Sequence, residues 1–352
     1  MSTFTRFETG DIVKGNVSRN VTTGLFSNGT GSLTSFFTSS AQTASAAGES
    51  YYYDVYHENP DDSSTSDTAA VQFQISYGHY AGSGSKGPTG ATTGYHPSRA
   101  IYSQFRNLLL DSPTPTTKFK LADNTTVNNA VFITLERSRF KEQIDKGDWH
   151  IQFSGSGIIK HTVCDDSSVA ASTTENGHIV YNVISGSSTG PTLYQSGSDY
   201  VYWGKVYPEL GVIMLDGERM IGNSIPVTSG LSLGTALSVS DLGDSANAND
   251  EIPKKVYNSL VNFTGRADED ISSTFYFVRA KNSEYNFSTN ETFTTGDAGR
   301  LRHATMIGDP QVYISTVGLY NEQRELLAVA KLSKPLLKNY EREATIRIKL
   351  DY

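Results

Sequence analysis

Gly186-Ser187-Ser188-Thr189-Gly190 fits the pattern G-x-S-x-G, in which a serine on a sharp strand-to-helix turn becomes an acyl-transfer nucleophile. That chemistry needs an acid and then a histidine further along the chain, and only His303 follows as a base. Pro191 comes directly after the motif, and the next residues, TLYQSGSD, show no helical period. In a chain rich in Ser and Gly the pattern arises by chance. Gly82-Ser83-Gly84-Ser85-Lys86-Gly87 fits G-x-G-x-x-G after a strand, but a dinucleotide site needs a helix to begin inside the motif, facing the pyrophosphate. Pro88-Thr89-Gly90 follows instead, and Lys86 lacks the spacing of a P-loop lysine, so a plain loop is expected.

His79 and His96 flank that loop, with Asp61 and Asp62 upstream. No second pair stands at ligand spacing, so surface or capping roles outweigh a metal site. The stretch DLGDSANANDE, Asp241 to Glu251, gathers oxygen ligands without the alternating acids and glycine of a calcium loop. It reads as a solvated acidic loop, with weak cation binding as the lesser option. Asp216 and Glu218 pose as an acid pair, but Asp216-Gly217 suits a tight hairpin turn within GVIMLDGERMI. Trp149, Trp203 and the tyrosines could stack on sugar rings, and tyrosine equally supplies rigid interface area. No constellation assembles a reaction, so the expectation is not an enzyme, with no cofactor and no metal.

The elements that would position these residues are mostly strands. Val71, Phe73, Ile75 and Tyr77 alternate, as do Val131, Ile133 and Leu135, and then Trp149, Ile151 and Phe153. Ser98 caps the best helix, whose Ile101, Phe105, Leu108 and Leu109 make an apolar stripe that Pro113 and Pro115 end. Residues 160–200 break into turns around Ile179 to Ile184 and Tyr200 to Val206, and Val256 to Phe263 suits a short helix. Phe275 to Ala280 and Val312 to Leu319 read as strands, while Glu325 to Leu332 suits a buried strand or a helical turn. From Ala344 the residues alternate strictly: Ile346, Ile348, Leu350 and Tyr352 on one face, Thr345, Arg347, Lys349 and Asp351 on the other. These four apolar residues are the candidate interface, anchoring the chain end in a sheet whose outer edge is open to a partner.

Composition narrows the class. At 352 residues a proper core is affordable, and 20 Tyr and 16 Phe exclude a disordered composition. A net charge of −8 without a basic stripe argues against nucleic acid. Cys164 is the single cysteine, so no internal disulfide or cysteine-ligated zinc is possible. No apolar run is long enough to span a bilayer, and MSTFTRFETGDIVKGN lacks the apolar core of a secretory signal. The expected fold is mostly β or α+β: antiparallel sheets with long polar loops and one well-defined helix near 98–110. An extended Ser/Thr/Gly-rich N-terminal arm covers 1–50, ahead of a strand-rich body over 51–352 with a polar, loop-rich insertion around 160–200.

Several blocks resemble virion structural proteins of contractile-tailed bacteriophages of the marine and cyanobacterial myophage type. They are FQISYGHYAGSGS, SRAIYSQFRNLLL, RSRFKEQIDKGDWHIQFSG, GKVYPELGVIMLDGERM, FYFVRAKNSEYNFSTNETF and the closing stretch from Ile314. The resemblance implies a baseplate, wedge-like component made in the host cytoplasm and located in the virion tail. Its implied partners are other tail and baseplate proteins, or further copies of itself, with no membrane insertion. It carries no catalytic motif, so no functional residue is transferred. A receptor- or glycan-binding tail adhesin is the alternative. An envelope hydrolase, resting on Ser188, comes third.

Overall fold

The computed structural model describes residues 4–40, 52–81, 98–154, 160–192, 195–196, 199–221, 248–296 and 299–351. With 47% strand and 11% helix the protein is mostly β, built from antiparallel sheets. Residues 1–19 with 270–352 form one compact unit and residues 20–269 the other.

Within 20–269 one large sheet runs in the order Ser32–Leu33, Leu260–Thr264, His150–Ser154, Lys160–Asp165, His178–Ser187, Gly204–Tyr207, Val212–Asp216, Asn129–Leu135, Val71–His79 and Tyr52–Tyr56. Thr173–Glu175 and Gly190–Thr192 pair alongside His178–Ser187. The sheet curls into a half-barrel. One short segment accounts for the curl. Leu33 pairs with Phe263 at one edge, and Phe37 exchanges two backbone hydrogen bonds, 3.1 and 2.8 Å, with Tyr56 at the opposite edge. Strands far apart in the order therefore meet ring to ring: Phe73 lies edge-on to Phe263 with centroids 5.4 Å apart, and Phe26 meets Phe263 at 5.1 Å.

The concave face carries the main core, including Ile75, Ile133, Ile151, Val183, Val206 and Ile213. The helix Ala248–Ser259 adds Ile252 and Val256 to it, and the Tyr257 hydroxyl donates to the Phe36 carbonyl at 2.9 Å. A second core lies on the convex face, where the helix Ser98–Leu109 covers Phe132, Met214 and Tyr207. Asn129–Leu135 and Val212–Asp216 are thus buried on both faces, which is why VFITL and VIMLD are apolar runs rather than alternations. The helix sits so close that a Cβ on Gly78 would come within 2.9 Å of the Tyr102 backbone. Glycine is required there for the approach.

Several expectations change. The segment before residue 50 is not merely an arm: Ile12–Gly24 is a 13-residue strand, and Leu25, Phe26 and Leu33 enter the main core. Residues 160–200 supply central strands instead of an insertion, because Val163, Val183 and Ile184 are buried and His161 to Cys164 pair with Phe153 to His150. Asp216-Gly217 makes no hairpin; Val212–Asp216 passes directly into the helix Gly217–Ile221. The helix placed over Val256 to Phe263 instead spans Ala248–Ser259, and Leu260–Thr264 is a strand that pairs with His150–Ser154. The first helix is where the sequence puts it, but its buried side is turned. Tyr102 and Arg106 are buried with their polar ends bonded to the Val127 and Pro115 carbonyls, while Leu108 is exposed.

In the other unit, the strands Ile12–Gly24, Arg266–Ala280 and Ala344–Asp351 lie in that order, and Val312–Tyr320 pairs with Leu326–Lys338 as a separate two-stranded ribbon. Lys338 at the ribbon's base is fully buried, its ammonium donating to Asn286 Oδ1 at 2.7 Å and to the Asn282 and Asn339 carbonyls, each at 3.0 Å. Burial pulls its pKa down, while Glu284 and Glu343 hold it up.

Because Phe263 joins the two ends of the curled sheet, Phe263→Ala should destabilise the protein by about 3–5 kcal/mol in denaturant titration. A loss under about 1 kcal/mol would show that the curl does not depend on this ring.

Candidate functional site

Ser188 lies in the turn between His178–Ser187 and Gly190–Thr192, closed by the pair Ser187 and Gly190. The motif is therefore strand–turn–strand, without the helix that a nucleophile elbow needs. The structure does bring it a histidine that chain order did not offer: His150 Nδ1 is 3.3 Å from Ser188 Oγ. Burial lowers the His150 pKa against the pull of Asp148, whose carboxylate is 3.2 Å from Arg266 Nε. His303 is exposed at the start of a short 3-10 turn.

Asp62 accepts the Ser64 amide at 2.9 Å within its own turn and Asp61 accepts the Ser40 amide from a distant segment, and these bonds hold both carboxyls below their usual range. His79 Nδ1 faces the Ala81 amide at 3.1 Å. His96, the glycine-rich stretch 82–87 and residues 241–247 lie outside the described residues, and Ala248 to Glu251 begin a helix. Among the described residues no three His, Cys, Asp or Glu side chains are grouped to hold a metal ion. Trp149 and Trp203 are 0% and 2% exposed, so neither presents a face to a sugar. Trp203 instead packs on His161 at 4.3 Å, where burial drives the imidazole pKa down to about 4.

The densest polar grouping surrounds Asp216. Its Oδ1 accepts the Glu218 amide at 3.0 Å, which starts the helix Gly217–Ile221, and its Oδ2 is 3.6 Å from Arg219 Nε. Arg219 Nη2 also reaches Asp123 at 2.6 Å and Thr125 at 2.9 Å, and the Tyr202 carbonyl accepts from Nη1. Glu218 accepts from Asn129 Nδ2 at 2.8 Å, and Asn129 accepts from the Tyr77 hydroxyl at 2.9 Å. These side chains bind one another across three neighbouring strands, so the arrangement clamps strand ends. Burial raises the Asp216 pKa to about 7, with the Glu218 amide and Arg219 acting in the opposite direction.

The C-terminal strand Ala344–Asp351 pairs antiparallel with Arg266–Ala280, from Ala280 opposite Ala344 to Ser273 opposite Asp351. Ile348 is buried, Ile346 and Leu350 are half-buried, and Thr345, Arg347, Lys349 and Asp351 are exposed. Tyr352 lies outside the described residues. The strand ends its sheet, so its outer edge has no ladder partner among the described residues.

The sequence missed the larger apolar surface. Glu325 to Leu332 reads as a buried strand or a helical turn; Leu326–Lys338 is a strand, but Leu326, Leu327 and Val329 are exposed, as is Tyr320 opposite Leu326. Phe4 packs edge-on to Tyr320 at 5.0 Å, under the Arg324 guanidinium. A signal was present: opposite charges, Glu325 and Lys331, bracket the run LLAVA, as they do where an apolar strand meets solvent.

No protein-family model matches the chain, and neither does any curated protein or solved structure.

An unfolded aspartate titrates near ~3.9, so from there up to the folded value of about 7 the folded state holds the extra proton. Asp216 therefore withdraws stability as pH rises through this window. Asp216→Asn removes that loss, and its stability relative to the unsubstituted chain should climb by about 2–4 kcal/mol between pH ~4 and ~7 in urea unfolding. Parallel pH profiles would contradict this reading of the carboxyl.

Proposed function

We propose that this chain is a structural component of a bacteriophage contractile tail, a baseplate wedge-like protein that holds neighbouring subunits through protein–protein interfaces. The observation that carries the reading is the ribbon Val312–Tyr320 with Leu326–Lys338. A lone two-stranded hairpin is marginal in water, yet this one exposes Leu326, Leu327, Val329, Tyr313 and Tyr320. Leu326, Leu327, Val329 and Tyr320 share one end of the ribbon, and exposed apolar side chains gathered in this way mark a contact with another chain. The resemblance of the blocks quoted above to tail proteins supplies the setting. The polar groupings support the same side of the choice: the Asp216 network binds its own strands, and Ser188 sits in a hairpin turn. The adhesin alternative loses its two tryptophans to the core.

Quantitative mass spectrometry of purified particles tests the proposal. The chain should occur at a fixed ratio to the other tail proteins. Its absence from infectious particles would overturn the reading.

A further inference from the structure

Lys338 ends the strand Leu326–Lys338, opposite Val312, and it is 0% exposed. A lysine is almost never fully buried unless an opposite charge accompanies it. Here the three oxygens that accept from its nitrogen are neutral: Asn286 Oδ1 at 2.7 Å and the carbonyls of Asn282 and Asn339, each at 3.0 Å. Asn286 is itself only 6% exposed, and its Nδ2 donates to the same Asn282 carbonyl at 2.6 Å. One backbone oxygen therefore holds the two side-chain nitrogens together and turns the amide oxygen of Asn286 towards the lysine. The amide carbon Cγ lies one bond beyond that oxygen, so it is at most ~3.9 Å from Lys338 Nζ. An amine, an amide carbon and a leaving nitrogen are thus gathered away from water, which is the arrangement that intramolecular condensation needs.

We propose that Lys338 and Asn286 join through an intramolecular isopeptide bond that the folded chain forms on itself. Lys338 first gives up a proton. Burial favours the neutral amine against the pull of Glu284 and Glu343, and these two carboxylates are the groups that can take the proton. The lone pair of Nζ then forms a bond to Asn286 Cγ, and the Cγ–Nδ2 bond breaks with its electron pair passing to nitrogen. A second proton moves from Nζ to Nδ2, and ammonia leaves. Nothing is oxidised or reduced, and no other reactant enters. The product is a secondary amide, so the buried charge disappears. The bond also fastens the foot of a two-stranded ribbon, marginal by itself, to the segment between Arg266–Ala280 and Thr294–Thr295. This chemistry is internal to the chain and does not rest on the proposed tail role.

Intact-mass spectrometry of the denatured full chain, with circular dichroism of the native protein to confirm folding, tests the bond. The measured mass should fall short of the mass that the sequence requires by one ammonia. Trypsin should leave Lys338 uncut and release a branched peptide joining residues 282–300 to residues 332–342. Lys338→Arg keeps the charge without the nucleophile and should show its full mass. Asn286→Asp keeps the shape of the side chain and should lose one water instead, giving the same branched amide. An unsubstituted chain at full mass, with Lys338 cut by trypsin, would overturn the proposal. So would an ammonia deficit that persists in folded Lys338→Arg, since the loss would then arise at another amide.

Discussion

The closure of the large sheet around Phe263 is the contact on which residues 20–269 depend. A long antiparallel sheet with one apolar face must cover that face, and here it does so largely by curling until its two ends share a core. Phe26, Phe73 and Phe263 come from three separate parts of the chain and meet within one aromatic group. The segment from Ser32 to Phe37 holds the same two ends through backbone hydrogen bonds. Once the curl is set, the helix Ala248–Ser259 has a concave surface to cover, and the strand ends near Asp216 are gathered closely enough for side chains to link them. The buried carboxyl, arginine and tyrosine there are consequences of the architecture, and they spend their hydrogen bonds on it.

Strand edges are handled differently in the two units. In residues 20–269 the end strands of the large sheet are tied by one segment, and both of its faces carry buried clusters. In residues 270–352 the ribbon has two strands and a run of apolar side chains facing water. A chain that exposes LLAVA bears the risk of uncontrolled pairing. Within the run, the bulge at Leu327 interrupts the regular edge and so limits that risk. Such an edge suits a protein whose work is assembly.

Much of the fold was legible in the sequence, and the reasons differ from place to place. Val71–His79 and Ala344–Asp351 bury one face more than the other, so their alternation survives in the residues themselves. The helix Ser98–Leu109 begins at the serine that the sequence marks and has a clear period, but its buried face includes Tyr102 and Arg106, whose burial becomes intelligible only with the carbonyls they reach. Residues 160–200 read as loop because their buried valines are spaced among Ser, Thr and Gly, and only pairing with strands distant in sequence orders them. Asp216-Gly217 carries the chemistry of a tight turn and of a helix start alike; the Glu218 amide, bonded to the carboxylate, decides for the helix. Of the candidate site, the C-terminal strand was visible as a period, whereas the ribbon was hidden by the rule that apolar residues are buried. The histidine beside Ser188 was hidden too, since it precedes the serine and reaches it through the pairing of three strands.

The central proposal is that the exposed apolar end of the ribbon is a contact surface. Backbone hydrogen exchange across Leu326 to Lys331, compared between the free chain and purified particles, addresses it most directly. Protection there should be greater in particles, while the interior strand Val71–His79 stays equally protected in both. Equally rapid exchange across Leu326 to Lys331 in both states would contradict it.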